Sequence, residues 1–244
     1  MRTRTKVWLI IAASLVLVGC IILGGVMAVL KWDFTKFSTV KYETNKHEMT
    51  EDFSNISVET DTADLVFALS EDETCRVECY EEEKAKHSVT VEEDTLAIKI
   101  INEKSWYDYV GINFGSPKIT VYLPKTEYTA LSIHESTGDI ELPNDFGFES
   151  VDISLSTGNV TFYASASGFI KIKTSTGNIC IEDASAGALD LSVSTGGITV
   201  SDVVCRGDVN VVVSTGKTKL NSMECVNLTS SGNTGDITLN SVIA

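Results

Sequence analysis

Residue pairs able to do acid–base or nucleophilic chemistry are scarce in this chain. His134 stands beside Glu135, so a carboxylate–imidazole pair can be drawn at that point. It lacks a nucleophile in a setting such as G-x-S-x-G. Polysaccharide-cleaving enzymes built on repeat scaffolds gather Asp, Lys and Arg on one face, and Arg206 is the only arginine after Leu131. The chain therefore reads as a non-enzyme. Its three histidines are His47, His87 and His134, and no spacing resembles a zinc site, so neither metal nor cofactor is expected.

Binding is the chemistry that the remaining residues offer. Trp106, Tyr107, Tyr109 and Phe114 crowd one insertion between Asn102 and Pro117. Aromatics on a loop can stack on sugars or anchor a partner. They can also cap the flank of a fold, which is the favoured expectation for them. Among the six cysteines, Cys75 and Cys79 are spaced to share one face of a strand, and Cys180 is left over. Cys205 and Cys225 occupy one position of a repeat, near enough for a disulfide if their Cβ directions allow.

That repeat must position everything else. Ser-Thr-Gly occurs at Gly138, Gly158, Gly177, Gly196 and Gly216, and Asn-Thr-Gly at Gly235, with spacings of 20, 19, 19, 20 and 19 residues. Two and four residues after each glycine stand mostly apolar residues, such as Ile179 and Ile181. Seven and five before it stand others, such as Ile170 and Ile172. Each set alternates with polar partners, the period of a half-buried strand. Glycine turns the corner between the two strands. Small residues nine positions after the glycines (Gly147, Ser167, Ala186, Cys205 and Cys225) suit another tight corner.

One such unit cannot bury its apolar face alone. Stacked units can, with like positions about 4.8 Å apart. The expected fold is all-β: a parallel β-solenoid of 19–20-residue coils, regular over 131–244. An antiparallel sandwich fits the constant spacing less well. Ile56, Val58, Leu65 and Phe67 fall into the same frame around Ala63, as a degenerate first coil. The last strand should leave an open parallel edge.

Two ladders follow from the stacking. Asp139, Asn159, Asn178, Gly197, Lys217 and Asp236 follow the glycines. Calcium needs six to eight oxygens, and Gly197 and Lys217 interrupt the set, so turn chemistry is expected. Thr137, Thr157, Thr176, Thr195, Thr215 and Thr234 precede the glycines. Such a hydroxyl array can match a regular surface or simply satisfy the turns.

The N-terminus is different. Residues 1–6 form a basic flank, and 7–30 are uncharged, a run of roughly 36 Å as a helix, enough to span a bilayer. Trp8 and Trp32 mark its ends, and the basic flank places the N-terminus in the cytoplasm and the rest outside. Leu17-Val18-Gly19-Cys20 resembles a lipoprotein box, but Ile21–Leu30 stays apolar beyond it. Residues 31–52 read as a linker, and 53–244 as the extracytoplasmic solenoid. Net charge is −15, with few basic residues beyond the N-terminus, so nucleic acid is an unsuitable partner.

Lys118-Ile119-Thr120-Val121-Tyr122-Leu123-Pro124, then Leu131-Ser132-Ile133 and Ser136-Thr137-Gly138-Asp139-Ile140 with its echoes, resemble the bacterial "putative adhesin" β-strand repeats of the DUF4097 type. Autotransporter-adhesin head domains share the idiom. The resemblance covers about residues 50–244 and implies an extracytoplasmic solenoid at the cell envelope. The first functional reading is an adhesion-like module for wall polymer, glycan or an envelope protein. The alternatives are an accessory of an envelope-stress or signalling system acting through a membrane partner, and a polysaccharide-acting enzyme.

Overall fold

Alternation of apolar and polar residues sets the strands of the computed structural model, which describes residues 3–33, 38–109, 113 and 115–244. Phe114, named above as a binding candidate, lies outside the described residues. The chain forms two units: Met1–Lys41 with Ser105–Gly115, and Tyr42–Lys104 with Ser116–Ala244.

The first unit contains helix α1 (Thr3–Val29), with no acidic residue in its first turn and no basic one in its last. It is apolar all round and its large side chains are largely exposed, as befits a helix suited to lipid. It is long and apolar enough to cross a membrane.

The second unit is a stack of parallel coils. In chain order its strands are β1 (Tyr42–Met49), β2 (Asn55–Thr62), β3 (Asp64–Leu69), β4 (Cys75–Glu82), β5 (Ala85–Glu92), β6 (Thr95–Asn102), β7 (Lys118–Leu123), β8 (Glu127–Thr137), β9 (Ile140–Leu142), β10 (Gly147–Thr157), β11 (Val160–Phe162), β12 (Ser165–Ala166), β13 (Phe169–Glu182), β14 (Ser185–Ala186), β15 (Ala188–Cys205), β16 (Asp208–Glu224) and β17 (Asn227–Ile243). From β8 onward, coil stacks on coil in register. Ile133, Ile153, Ile172, Leu191 and Val211 form one inward column, all fully buried. Burying such a side chain is worth about 1.5–3 kcal/mol, so the core of each coil is supplied largely by its neighbours.

The glycine corner is forced by close approach. Gly177 has φ 142°, and a Cβ there would lie 1.8 Å from the Gly158 carbonyl oxygen. The first coil shows why Ala63 is tolerated at the same place. Its backbone keeps negative φ. The strand pair beneath it leaves at Asn102 and returns at Lys118, so no complete corner lies below. A Cβ on Gly138, in turn, would meet the Ala63 carbonyl at 1.9 Å.

The structure departs from sequence expectation in three ways, the first being that β1 (Tyr42–Met49), inside the expected 31–52 linker, is a strand that pairs with β4. The chain does bend at or just after the small residues nine positions on, at Ser167–Gly168, Gly187 and Arg206–Gly207, but the later coils have a further corner that the sequence did not announce. It lies six positions after the glycine, where Asp183, Asp202, Ser222 and Ser241 adopt φ between 47° and 56°. Asp tolerates that left-handed region because its short polar side chain bonds locally. Ala186 and Cys205 end β14 and β15 just before the bend nine positions on, and both are buried.

Stacking order also differs from chain order at the N-terminal end. The β2–β3 coil lies between β6–β7 on one side and β8–β9 on the other. Antiparallel strands then close this end: β4 pairs with β7 and β1, and β5 pairs with β6. At the opposite end, Ile237 and Leu239 of β17 are 48% and 50% exposed, where their counterparts Ile179 and Ile181 are buried. No described strand pairs with that outer edge.

Candidate functional site

Between β6 and β7, Trp106–Tyr109 make one 3-10 turn. The Asp108 N–H donates to the Ser105 carbonyl at 2.9 Å, and its carboxylate accepts the Ser105 N–H at 2.8 Å. Trp106, Tyr107 and Tyr109 are 80%, 57% and 63% exposed. Trp106 meets Tyr107 edge to face, with ring centroids 6.0 Å apart. Three of these four residues are thus exposed aromatics. The loop belongs to the unit that carries α1.

The oxygen ladder is turn chemistry, as its interrupted pattern indicates. Asp139 accepts from the backbone N and Nδ2 of Asn159 at 2.8 and 3.0 Å. Asn159 does the same for Asn178 at 3.0 and 2.9 Å, and Asn178 accepts the Gly197 N–H at 2.9 Å. Asp64 starts the ladder by accepting the Asp139 N–H. The side-chain oxygens are thus engaged coil to coil. The threonines also align in register, from Thr62 and Thr137 to Thr215 and Thr234, and all are exposed.

His134 and Glu135 sit on opposite faces of β8, so they are not an acid–base pair. His134 is exposed. Glu135 is buried, in the inward column that runs from Thr60 through Leu155 and Thr174. Its Oε1 accepts the Ala63 N–H at 3.1 Å, and its Oε2 is buried with no hydrogen-bond partner among the described residues. Burial, with the Asp64 and Asp139 carboxylates adding to it, pushes this carboxyl up to about 8.

Two grooves lie on the flank of the stack. One, of about 500 Å³, is floored by Ser165, Ala166, Ser185 and Ala186 and edged by Glu149 and Arg206. The other, of about 900 Å³, lies among Phe53, Glu71, Lys125 and Tyr128. Tyr128 borders both. It stacks on Phe53 with centroids 6.1 Å apart and leans on Phe148 at 5.9 Å. Its phenol donates to the Pro124 carbonyl.

All six cysteines are free thiols. Cys205 and Cys225 follow directly on the paired residues Val204 and Glu224, which puts them at one register in adjacent coils. Burial raises both thiols. Cys75 and Cys79 share the inward face of β4, and burial pushes each up to about 12.

Sequence reasoning missed a buried polar cluster at the antiparallel end. Glu81, 1% exposed, accepts from His87 Nδ1 at 2.7 Å and from the His87 backbone N–H at 2.6 Å. Its other oxygen accepts Asn45 Nδ2 at 2.8 Å. His87 Nε2 lies 2.8 Å from Thr60 Oγ1. Glu81 and His87 lie on different strands of one hairpin, which no spacing rule connects.

The family model described as Toastrack DUF4097 matches residues 53–241. No curated protein matches the chain. Among solved structures, the chain is similar to a "putative adhesin" from Bacteroides fragilis, with TM-score 0.50 and 18% identity over 82% of this chain and 96% of that one. It is also similar to a "putative cell adhesion protein" from Clostridium sporogenes (TM-score 0.40, 11% identity, 83% and 99% covered). A "putative adhesin" from Parabacteroides distasonis gives TM-score 0.39 and 13% identity, with 83% and 98% covered.

Proposed function

Because the chain belongs to the Toastrack DUF4097 family, we propose that it is a non-enzymatic binding module, held by α1 in the bacterial cell membrane with its solenoid on the outer side. The observation that carries this reading is the exposed aromatic set Trp106, Tyr107 and Tyr109. Flat aromatic faces suit sugar rings and the apolar anchors of proteins. The partner is a wall polymer, a glycan or an envelope protein. The adhesin name of the Bacteroides relative agrees with it. The separation of His134 from Glu135 removes the one acid–base pair that the sequence offers. The reading is tested with the full chain in detergent micelles and the double variant Trp106→Ala/Tyr107→Ala. Retention on isolated wall material or on solubilised envelope proteins should fall at least about tenfold, the loss of two hot-spot aromatics. Undiminished retention removes the loop from the account.

A second reading is an accessory of an envelope-stress or signalling system acting through a membrane partner. It is favoured by the grouping of Ser105–Gly115 with the helix-bearing segment in one compact unit. Replacing residues 7–30 by an unrelated span then abolishes function, whereas under the first reading binding survives the swap.

A further inference from the structure

We propose that the antiparallel end of the solenoid holds a divalent transition-metal site of the zinc type, with Cys79, Glu81 and His87 as ligands and His47 as the fourth. Sγ of Cys79, a carboxylate oxygen of Glu81 and a ring nitrogen of His87 all lie within 4.8 Å of one another, and all three residues are buried. Thiolate, imidazole and carboxylate are the donor types that zinc takes, at about 2.0–2.3 Å. A tetrahedral ion at those lengths needs neighbouring donors about 3–4 Å apart, so a contraction of less than about 2 Å closes the set.

The surroundings are those of a ligand shell. The second Glu81 oxygen is held by Asn45, and the outer nitrogen of His87 by Thr60. Such outer contacts fix ring orientation and tautomer at metal sites. In the metal-bound form His87 Nε2–H donates to Thr60 Oγ1, and Nδ1, the nitrogen that lies against Glu81, takes the ion.

Two donors here have no other occupation. Cys79 Sγ makes no hydrogen bond among the described residues. His47 Nε2 is buried and has no hydrogen-bond partner among them. Asn45 stands directly opposite Cys79, and His47 lies two residues further along the same face of β1, opposite Val77. His47 is thus the next inward-facing side chain of β1 beyond the one opposite Cys79. A buried polar group left unpaired costs about 1–3 kcal/mol; an ion gives both leftover donors a partner. Binding releases the Cys79 thiol proton to solvent, while the single proton of neutral His87 sits on Nε2 and leaves Nδ1 free, so thiolate and neutral imidazole hold the metal.

The full chain in detergent micelles, stripped with a chelator, is titrated with Co²⁺ as the probe. One equivalent per chain should give thiolate-to-cobalt charge-transfer absorption and the intense visible bands of four-coordinate cobalt, and Zn²⁺ should displace them. Cys79→Ser should abolish the charge-transfer band, whereas Cys180→Ser should keep it. His87→Gln and Glu81→Gln, close in volume to the native residues and checked by far-ultraviolet circular dichroism, should each weaken Co²⁺ binding tenfold or more. So should His47→Gln, with the charge-transfer band retained. No band in the native chain, or a band that survives Cys79→Ser, overturns the site. Native affinity in His47→Gln overturns the four-ligand assignment.

Discussion

The Gly158 carbonyl oxygen occupies the space that a Cβ on Gly177 would need, 1.8 Å away. The same relationship recurs up the stack, from Gly177 to Gly196 and from Gly196 to Gly216. Each corner is packed against the corner below it. That contact, together with φ 142° at Gly177, fixes the residue type.

Gly177→Ala should therefore be severe. It adds backbone strain to a clash with main chain that cannot rotate away, a loss of about 3 kcal/mol or more. Ala63→Gly, at the corner with negative φ, should cost no more than about 1 kcal/mol. Denaturant unfolding of the full chain in micelles compares the two, and similar losses would falsify the corner argument.

Glu135 predicts a pH dependence. Its folded pKa of about 8 is above the ordinary value of 4.5, so the folded state holds its proton more tightly than the unfolded chain. The associated stability is complete below about pH 4.5 and is lost as pH rises through about 8, at roughly 1.4 kcal/mol per pH unit across that window. Glu135→Gln keeps an acceptor for the Ala63 N–H and removes the titration. The variant should be more stable than the native chain at pH 8 and lack this slope. An unchanged pH profile contradicts a buried, proton-holding Glu135.

Core and surface positions of one strand should respond differently. Ile172→Ala empties part of a fully buried column and should cost about 2–5 kcal/mol. Its neighbour Lys171 bonds Asp152 at 2.9 Å on the exposed face, and Lys171→Ala should cost less than about 1 kcal/mol. Comparable losses at both positions argue against the inward column.

The ladder at the corners makes a separate claim. Asn159→Ala removes the acceptor for the Asn178 backbone N–H and amide, with an expected cost of about 0.5–2 kcal/mol. Amide hydrogen exchange should quicken at Asn178. Unaltered exchange there shows that the ladder does not hold the corner.

Much of this was legible because a period of 19–20 residues turns a one-dimensional pattern into columns. Ile153 and Ile172 could be paired from spacing alone, and so could the corner at Ala63. Glu135 continues the same alternation inward, but a carboxylate in an apolar column reads as surface until the column is seen. The order of the first coils was not legible. β2 has two edges, and both β6 and β8 carry the alternation that suits either one. Glu81, His87, Thr60 and Asn45 come from four strands, joined only by antiparallel pairings and side-chain bonds that periodicity does not encode. The aromatic set was found from composition alone, and its exposure required the structure.

The central claim is binding at the cell envelope, and the direct measurement is retention of the full native chain on two baits, purified wall material and detergent-solubilised envelope proteins. The account predicts saturable retention on one of them that salt alone does not remove, since the aromatic contacts are not ionic. Loss of all retention in moderate salt, or none on either bait, contradicts it.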